Sequence, residues 1–397
     1  MSGRLFARVP NSWILLACIG LLALNLRGPF VAVAPVVGMM QRDLGFSPAT
    51  IGILTSIPVL CFSLAAPLAS LAARKFGAEF AVTLTILGVL AGVLLRSAGG
   101  PALAMGGTVV IGLAITIGNI AVPLIIRRDF HPARQGTAMG IYTAALNIGS
   151  FLTSVTTAPL AAVAGWQVAL ASVALLAVAA IVFWTLAVGA RRAFFIAPDD
   201  GSGTRLPPVA GARWTTLGLT VGFAGQAFSY YGVTAWLPTF LADELGMAPS
   251  AAGAGSSLFQ ILAIAGGLGV PLAARMVSPT TVVVSLGAMW LTVPVGLLLA
   301  PGYWWLWSSL GGIAQGGGIT LIFIAIIKVA RDQASAGRMS AVVQGVGYSI
   351  GAAAPPLLGY IHGLSGSWTV PMLMILGSVL TFFVSTTLSV RRVPKGR

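Results

Sequence analysis

Charge is what this sequence has least of. Only 8% of its 397 residues are charged, against about 25% in an ordinary soluble chain. Acids are scarcer than bases: eight Asp and Glu stand beside 22 Lys and Arg. With 57% hydrophobic residues and a mean hydropathy of +0.97, the chain has too little polar surface to cover itself in water. That excludes a soluble domain, and it excludes disorder, which needs a polar, charged composition. Cysteines number two, Cys18 and Cys61, both inside apolar runs, so no disulfide framework is present. The two histidines, His131 and His362, lie in separate loop regions and form no metal cluster. There is no Gly-rich phosphate loop with its Lys and no nucleophile elbow. An enzyme is therefore not expected, and neither cofactor nor metal is called for.

What fills the chain is a series of apolar runs: 12–35, 48–70, 80–98, 102–126, 137–160, 167–190, 214–240, 249–274, 280–299, 303–328, 339–361 and 368–390. At about 20 residues per crossing these make twelve spans with short loops. With the N-terminus placed in the cytoplasm, nineteen basic residues fall in cytoplasmic segments and two, Arg42 and Arg96, fall outside. Arg27 alone lies within a span. This positive-inside bias puts both termini in the cytoplasm of a bacterial-type inner membrane. The net charge of +14 then encodes topology rather than a nucleic-acid face. The first apolar run is long and no small-residue cleavage site follows it, so it reads as a span and not a removable signal. The expected partners are the lipid bilayer and a small-molecule substrate, and the expected state is a monomer.

The longest polar stretch, 191–213, is rich in Pro, Gly and charge. It divides the chain into an N-terminal six-helix bundle (1–190), a cytoplasmic linker (191–213) and a C-terminal six-helix bundle (214–397). The halves are related. Shifted by 201 residues, Leu44, Gly45, Pro48, Gly52, Ser56, Leu71, Ala72, Ala73 and Arg74 fall on Leu245, Gly246, Pro249, Gly253, Ser257, Leu272, Ala273, Ala274 and Arg275. Ile148-Gly149 falls on Ile350-Gly351 at a shift of 202. Parallel repeats of six spans around a cytoplasmic linker are the layout of major facilitator transporters, an all-α membrane fold with substrate sites near the midplane between the halves. The 50 glycines let helices approach closely in lipid. Pro58, Pro123, Pro294 and Pro355-Pro356 permit bends.

Arg27 is the sharpest functional signal. It lies roughly 22 Å along the first span, where a charge costs at least about 2.5–3.5 kcal/mol. All eight acids map to loops or span ends, so no carboxylate within the membrane neutralises it. A cation without a fixed counter-ion suits an anionic or electronegative substrate. The other reading has Arg27 bonding carbonyls freed near Pro29 and Pro35, or snorkelling outward. Asn25 and, at the shift of 201, its counterpart Gln226 offer amides at one depth, while Arg27 falls on Phe228. Amides read polar solutes through paired donors and acceptors. Asn25, Gln226 and Tyr230 are expected to frame the substrate, with Asn119, Tyr142, Asn147, Gln315 and Gln344 behind them. Interhelical hydrogen bonding is the competing role for each. Tyr231, Gln260 and Tyr348 are further polar residues inside spans. Trp236 either closes the outer end of the cavity or anchors at the interface. His362 sits at the outer end of the eleventh span, so proton relay through the membrane is not supported.

Several segments resemble the cyanate and 2-nitroimidazole transporter family of the major facilitator superfamily. They are Asn25-Leu26-Arg27; Gly118-Asn119 with Pro123 and Arg128-Asp129-Phe130; Trp236-Leu237-Pro238 with Leu245-Gly246 and Leu258-Phe259-Gln260; and Ser340, Gln344, Gly347-Tyr348, Pro356, Gly359, His362, Gly366 and Trp368. The resemblance runs along nearly the whole chain. It implies a twelve-helix transporter of small, often anionic or nitrogen-rich molecules. Two departures from the wider superfamily stand out. The loop after the second span reads Leu71-Ala72-Ala73-Arg74-Lys75-Phe76-Gly77, without the usual Asp. In the fifth span, Thr153-Ser154 replaces the Gly-Pro of drug–proton antiporters, which weakens the alternative of an exporter of neutral or cationic drugs.

Overall fold

The computed structural model describes residues 12–196, 212–329 and 333–391. Among these residues there is no strand. The first span is built from α1 (Ser12–Val31), a 3-10 turn (Ala34–Val36) and α2 (Val37–Leu44). The second is α3 (Pro48–Leu64) followed by α4 (Ala66–Phe76); the third and fourth are α5 (Ala78–Ser97) and α6 (Pro101–Asp129). The fifth and sixth come from α7 (Pro132–Ala171), which folds at Gly165, and α8 (Ala174–Val188). A short α9 (Ala190–Phe194) precedes α10 (Ala212–Leu245), α11 (Pro249–Met276), α12 (Pro279–Leu299), α13 (Trp304–Val329), α14 (Gln333–Ser365) and α15 (Thr369–Arg391), the last six spans. The chain makes twelve crossings, in two six-helix bundles.

Nine stretches among the described residues are long and apolar enough to cross a membrane. One of them, 138–188, turns back at Gly165 and supplies two crossings. The second span escapes a simple length test because it is broken in two at Ala65. The seventh carries Gln226, Ser229, Tyr230 and Tyr231 in mid-helix, which dilutes its apolar run.

The repeat has a structural cause at its clearest motif. Gly45 ends α2 with φ +66°, and Gly246 follows α10 with φ +62°. Both sit in the left-handed region that favours glycine. Three residues later Pro48 and Pro249 open the next helix, where a missing N–H is harmless. Leu-Gly-x-x-Pro is thus a stop followed by a start, used once in each half.

Within the N-terminal bundle α1 packs on α7 and α5 on α6; within the C-terminal bundle α10 packs on α14 and α15, and α11 on α13. The bundles meet through α3 with α14 and through α7 with α11. At the end remote from the described termini this contact is backbone-close. A Cβ on Gly52 would overlap the backbone of Pro355 and Pro356, and one on Gly359 would overlap Pro48. A Cβ on Gly253 would come within 3.2 Å of the Ser154 carbonyl. The two halves are therefore sealed against each other at that far end.

Of the expected linker, 197–211 lie outside the described residues, as do Asp199, Asp200 and Asp332. Its first residues belong to α9, which docks on the N-terminal bundle, where Thr83 donates to the Ala193 carbonyl at 2.7 Å. At the same end of that bundle Arg128 donates to Glu79 (2.6 Å) and Asp129 (2.8 Å). These bonds, that to Asp129 first, hold its pKa above the usual arginine value. Glu79, six residues beyond Ala73, supplies a carboxylate to a region that lacks the usual Asp.

Candidate functional site

Arg27 lies on the last turn of α1, one turn before the helix ends at Val31. Its Nη1 donates to Asn147 Oδ1 of α7 at 2.9 Å. Its guanidinium carbon stands 5.2 Å from the centroid of the Tyr230 ring of α10, across the junction between the bundles. The side chain is half-buried. Among the described residues no carboxylate pairs with it. A guanidinium over a phenol face is attracted by about 0.5–2 kcal/mol, the upper end applying where water is excluded. That holds the cation in place without neutralising it.

Aromatic rings from both bundles surround this point. Tyr230 packs edge-on against Tyr231 (4.9 Å between centroids) and stacks with Phe259 (6.1 Å). Tyr231 meets Phe30 of α1 at 6.3 Å and Tyr348 of α14 at 6.4 Å, and Tyr348 meets Phe62 of α3 at 5.7 Å. Beside that last pair Ser63 donates across the junction to the Gly345 carbonyl at 2.8 Å. Asn147 is anchored by its own Nδ2, which donates to the Thr143 carbonyl at 3.0 Å. Tyr142 donates to Asn119 Oδ1 at 3.0 Å, tying α7 to α6. Tyr230 reaches Gln260 Oε1 at 3.4 Å, and Gln260 donates on to Thr234 at 3.2 Å. Just beyond lies a small enclosed gap between the bundles, lined by Val31, Ser154, Thr234, Phe259 and Gln260.

The structure brings together Arg27, Asn147 and Tyr230, with Tyr142 and Asn119 as a second pair. It does not bring Asn25 or Gln226 to that centre. Asn25 is fully buried and donates to the Leu21 carbonyl (3.0 Å) and the Leu176 carbonyl of α8 (3.1 Å). The reason is rotation. Successive helix residues turn by about 100°, so positions 25 and 27 point roughly 200° apart, one into the bundle and one out of it. Gln226 likewise turns into its own bundle, donating to the Gln315 carbonyl at 2.7 Å and packing on Gly318. Gln315 is buried there and donates to Phe259 at 3.4 Å. Gln344 is half-buried and bonds Ser340 one turn away on its own helix. Phe228, the repeat counterpart of Arg27, lines a different feature, an apolar groove of about 300 Å³ formed by α10, α14 and α15 and open to the surface.

Trp236 is buried, donates to the Pro355 carbonyl at 2.9 Å and packs on Trp368, so it stands at the far-end seal rather than at an interface with lipid headgroups. His362 stacks on Trp368 at 4.0 Å, with Nε2 3.8 Å from Asp243. Phe30 and Phe62 were invisible to a search for polar groups. Arg96, expected in an outer loop, is another surprise: it is fully buried and donates to the Pro29 carbonyl at 2.6 Å.

The family model of the Major Facilitator Superfamily matches residues 13–356. The chain is 32% identical over 367 residues to the 2-nitroimidazole transporter of Escherichia coli (strain K12), an alignment covering 91% of this chain and 92% of that one. It is 26% identical over 375 residues to the cyanate transport protein of the same organism, covering 91% and 94%. A solved nucleoside transporter superposes with a TM-score of 0.73 at 12% identity, over 94% of this chain and 99% of that one, a likeness of fold. Twelve crossings in two bundles, a repeat, and a polar centre between them converge with these matches: the chain belongs to the major facilitator superfamily, as a multi-pass membrane transporter and not an enzyme, and within it to the group of the cyanate and 2-nitroimidazole transporters.

Proposed function

We propose that this chain moves a small anionic or nitrogen-rich polar molecule across a bacterial inner membrane by alternating access, with Arg27 contacting the substrate. One observation carries the reading: the Arg27 guanidinium lies between the bundles, half-buried, held by a neutral amide and a phenol ring and paired with no carboxylate among the described residues. Its remaining N–H groups, which meet no acceptor among the described residues, can take a negative or electronegative group in planar, bidentate fashion. Tyr230, Tyr231 and Tyr348 supply ring faces for a flat solute, and Asn147, with Tyr142 and Asn119 behind it, forms the polar frame. Asn25 and Gln226 act as ties within their own bundles. The close backbone contacts of Gly52, Gly253 and Gly359 support a state closed on the side opposite the described termini. With both termini cytoplasmic, that is closure toward the outside, and rocking of the two halves exposes Arg27 to either face in turn.

The substrates named for the relatives, cyanate and 2-nitroimidazole, are the first probes. Ligands that bind the folded protein raise its apparent stability. Both compounds are to be titrated against purified wild-type protein and R27A while the unfolding temperature is followed. The expected result is a rise in wild type that is absent from a well-folded R27A. R27K should recover little of it, because an ammonium lacks the planar fork. An equal rise in wild type and R27A would move the site away from Arg27 and favour a carrier of neutral or cationic drugs.

A further inference from the structure

We infer that Arg96 is a positioning residue for Arg27, and that it aims the Arg27 side chain at the junction between the bundles. The inference rests on the reading of Arg27 as the substrate contact. It starts from the backbone of the first span. Pro35 has no N–H to continue the helix, and past Val31 the chain tightens into a 3-10 turn. The Val33 amide donates to Phe30 at 3.4 Å and the Val36 amide to Val33 at 3.0 Å. The Pro29 carbonyl is thereby left without the Val33 amide that a continuing α-helix would give it. Arg96 of α5 fills that place, its Nη1 donating to Pro29 at 2.6 Å.

This bond is expensive to build. Arg96 is fully buried, and its Nε and Nη2 meet no acceptor among the described residues. A cation buried this way, with one carbonyl as its partner, is a poor choice for stability alone. The close approach is also prepared on the neighbouring helix: a Cβ on Gly107 of α6 would overlap the backbone of Arg96.

The geometry explains what the bond does. At about 100° per residue, Asn25 and Pro29 lie within roughly 40° of each other, and Arg27 lies roughly opposite both. Asn25 is tied to α8 through the Leu176 carbonyl, and Pro29 is tied to α5 through Arg96. Two anchors on the back of α1 leave Arg27 on the front, directed at Tyr230. The Arg96 bond is the one beside the helix break, where α1 is least held by its own hydrogen bonds.

The test uses the full chain in proteoliposomes and uptake of labelled cyanate, with R96M, R96Q and R96K measured against wild type and R27A. R96M should raise the KM on the order of 10- to 100-fold, the loss expected when a contact group is displaced by about an ångström, with a smaller change in maximal rate. R96K, which can still donate one N–H to Pro29, should recover most of the affinity; R96Q should fall between. Folded R96M and R96Q with wild-type KM would overturn the inference. So would equal damage in R96K and R96M, which would mean that bulk and packing matter rather than the bond. A second readout does not depend on the substrate. In a C18S/C61S background, the thiol introduced by R27C should react with a charged methanethiosulfonate reagent, and should lose that reactivity when R96M is added. Unchanged reactivity would overturn the inference even if R96M transports poorly. If R27A itself transports normally, the substrate reading fails, while the thiol experiment still decides what Arg96 does.

Discussion

In the N-terminal bundle Trp166 donates to Asp43 at 2.8 Å; in the C-terminal bundle Trp368 donates to Asp243 at 3.0 Å. Each pair ties the end of a bundle's first span to the start of its sixth. Each Trp follows a glycine with positive φ, Gly165 or Gly366, by one or two residues. The aligned amides behave alike as well, Asn25 and Gln226 both turning inward to bond a backbone carbonyl of their own bundle. The halves part company two positions later. Arg27 reaches across to the other bundle, whereas Phe228 lines a groove at the surface. The lesson is a division of labour: the repeat keeps its scaffold twice, the N-terminal half brings the charge, and the C-terminal half brings Tyr230, Tyr231 and Tyr348.

The most severe way to break this comparison is to put the charge in the other half. F228R, alone or combined with R27F, would expose an arginine to the bilayer side of the C-terminal bundle, at a cost of about 2.5–3.5 kcal/mol or more. We expect a fall of several degrees or more in unfolding temperature and no ligand-induced stabilisation in the double variant. Anion-dependent stabilisation in R27F/F228R would show the halves to be interchangeable. A smaller effect sharpens the role of the rings. Y230A removes the surface beneath Arg27 and should weaken ligand binding by about 0.5–2 kcal/mol, read by titration calorimetry. Y230F should stay near wild type, because the hydroxyl contact to Gln260 is long at 3.4 Å. The smallest effects test the shared part. N25A and Q226A should each lower stability by about 0.6–2 kcal/mol in thermal or denaturant unfolding, with ligand affinity unchanged. A loss of affinity without loss of stability in either would return that amide to the substrate site.

Much of this was legible in the residues. Hydropathy runs located the twelve crossings, most of them to within about six residues, although the first span continues past its run to Leu44, and the linear shift of 201 exposed the repeat. Arg27 stood out because no other basic residue falls in mid-span and no acid is near it in depth. The pattern was blind in two ways. The break at Ala65 does not interrupt hydrophobicity, so the run 48–70 does not register it, whereas the fold at Gly165 falls in the gap between the runs 137–160 and 167–190. The direction of a side chain around its helix was also lost when residues were sorted by depth alone. Asn25 and Arg27 share a depth and face opposite ways, an outcome the helical angle already contains. Arg96 lies at a span end, as its position in the chain requires, but which way it turns depends on α1 and α6 packing beside it.

The sequence by itself determined that this chain lives in a membrane, how often it crosses, that its halves are related, and that one basic residue, Arg27, falls in mid-span. Those properties follow from transfer free energies and charge counts, which sum along the chain without regard to neighbours. Only the tertiary structure decided which groups meet that cation. Asn147 comes from 120 residues away and Tyr230 from the other bundle. In lipid no hydrophobic force selects which helix face turns inward, so the choice falls to close-packed glycines, freed carbonyls and the few hydrogen bonds that hold them.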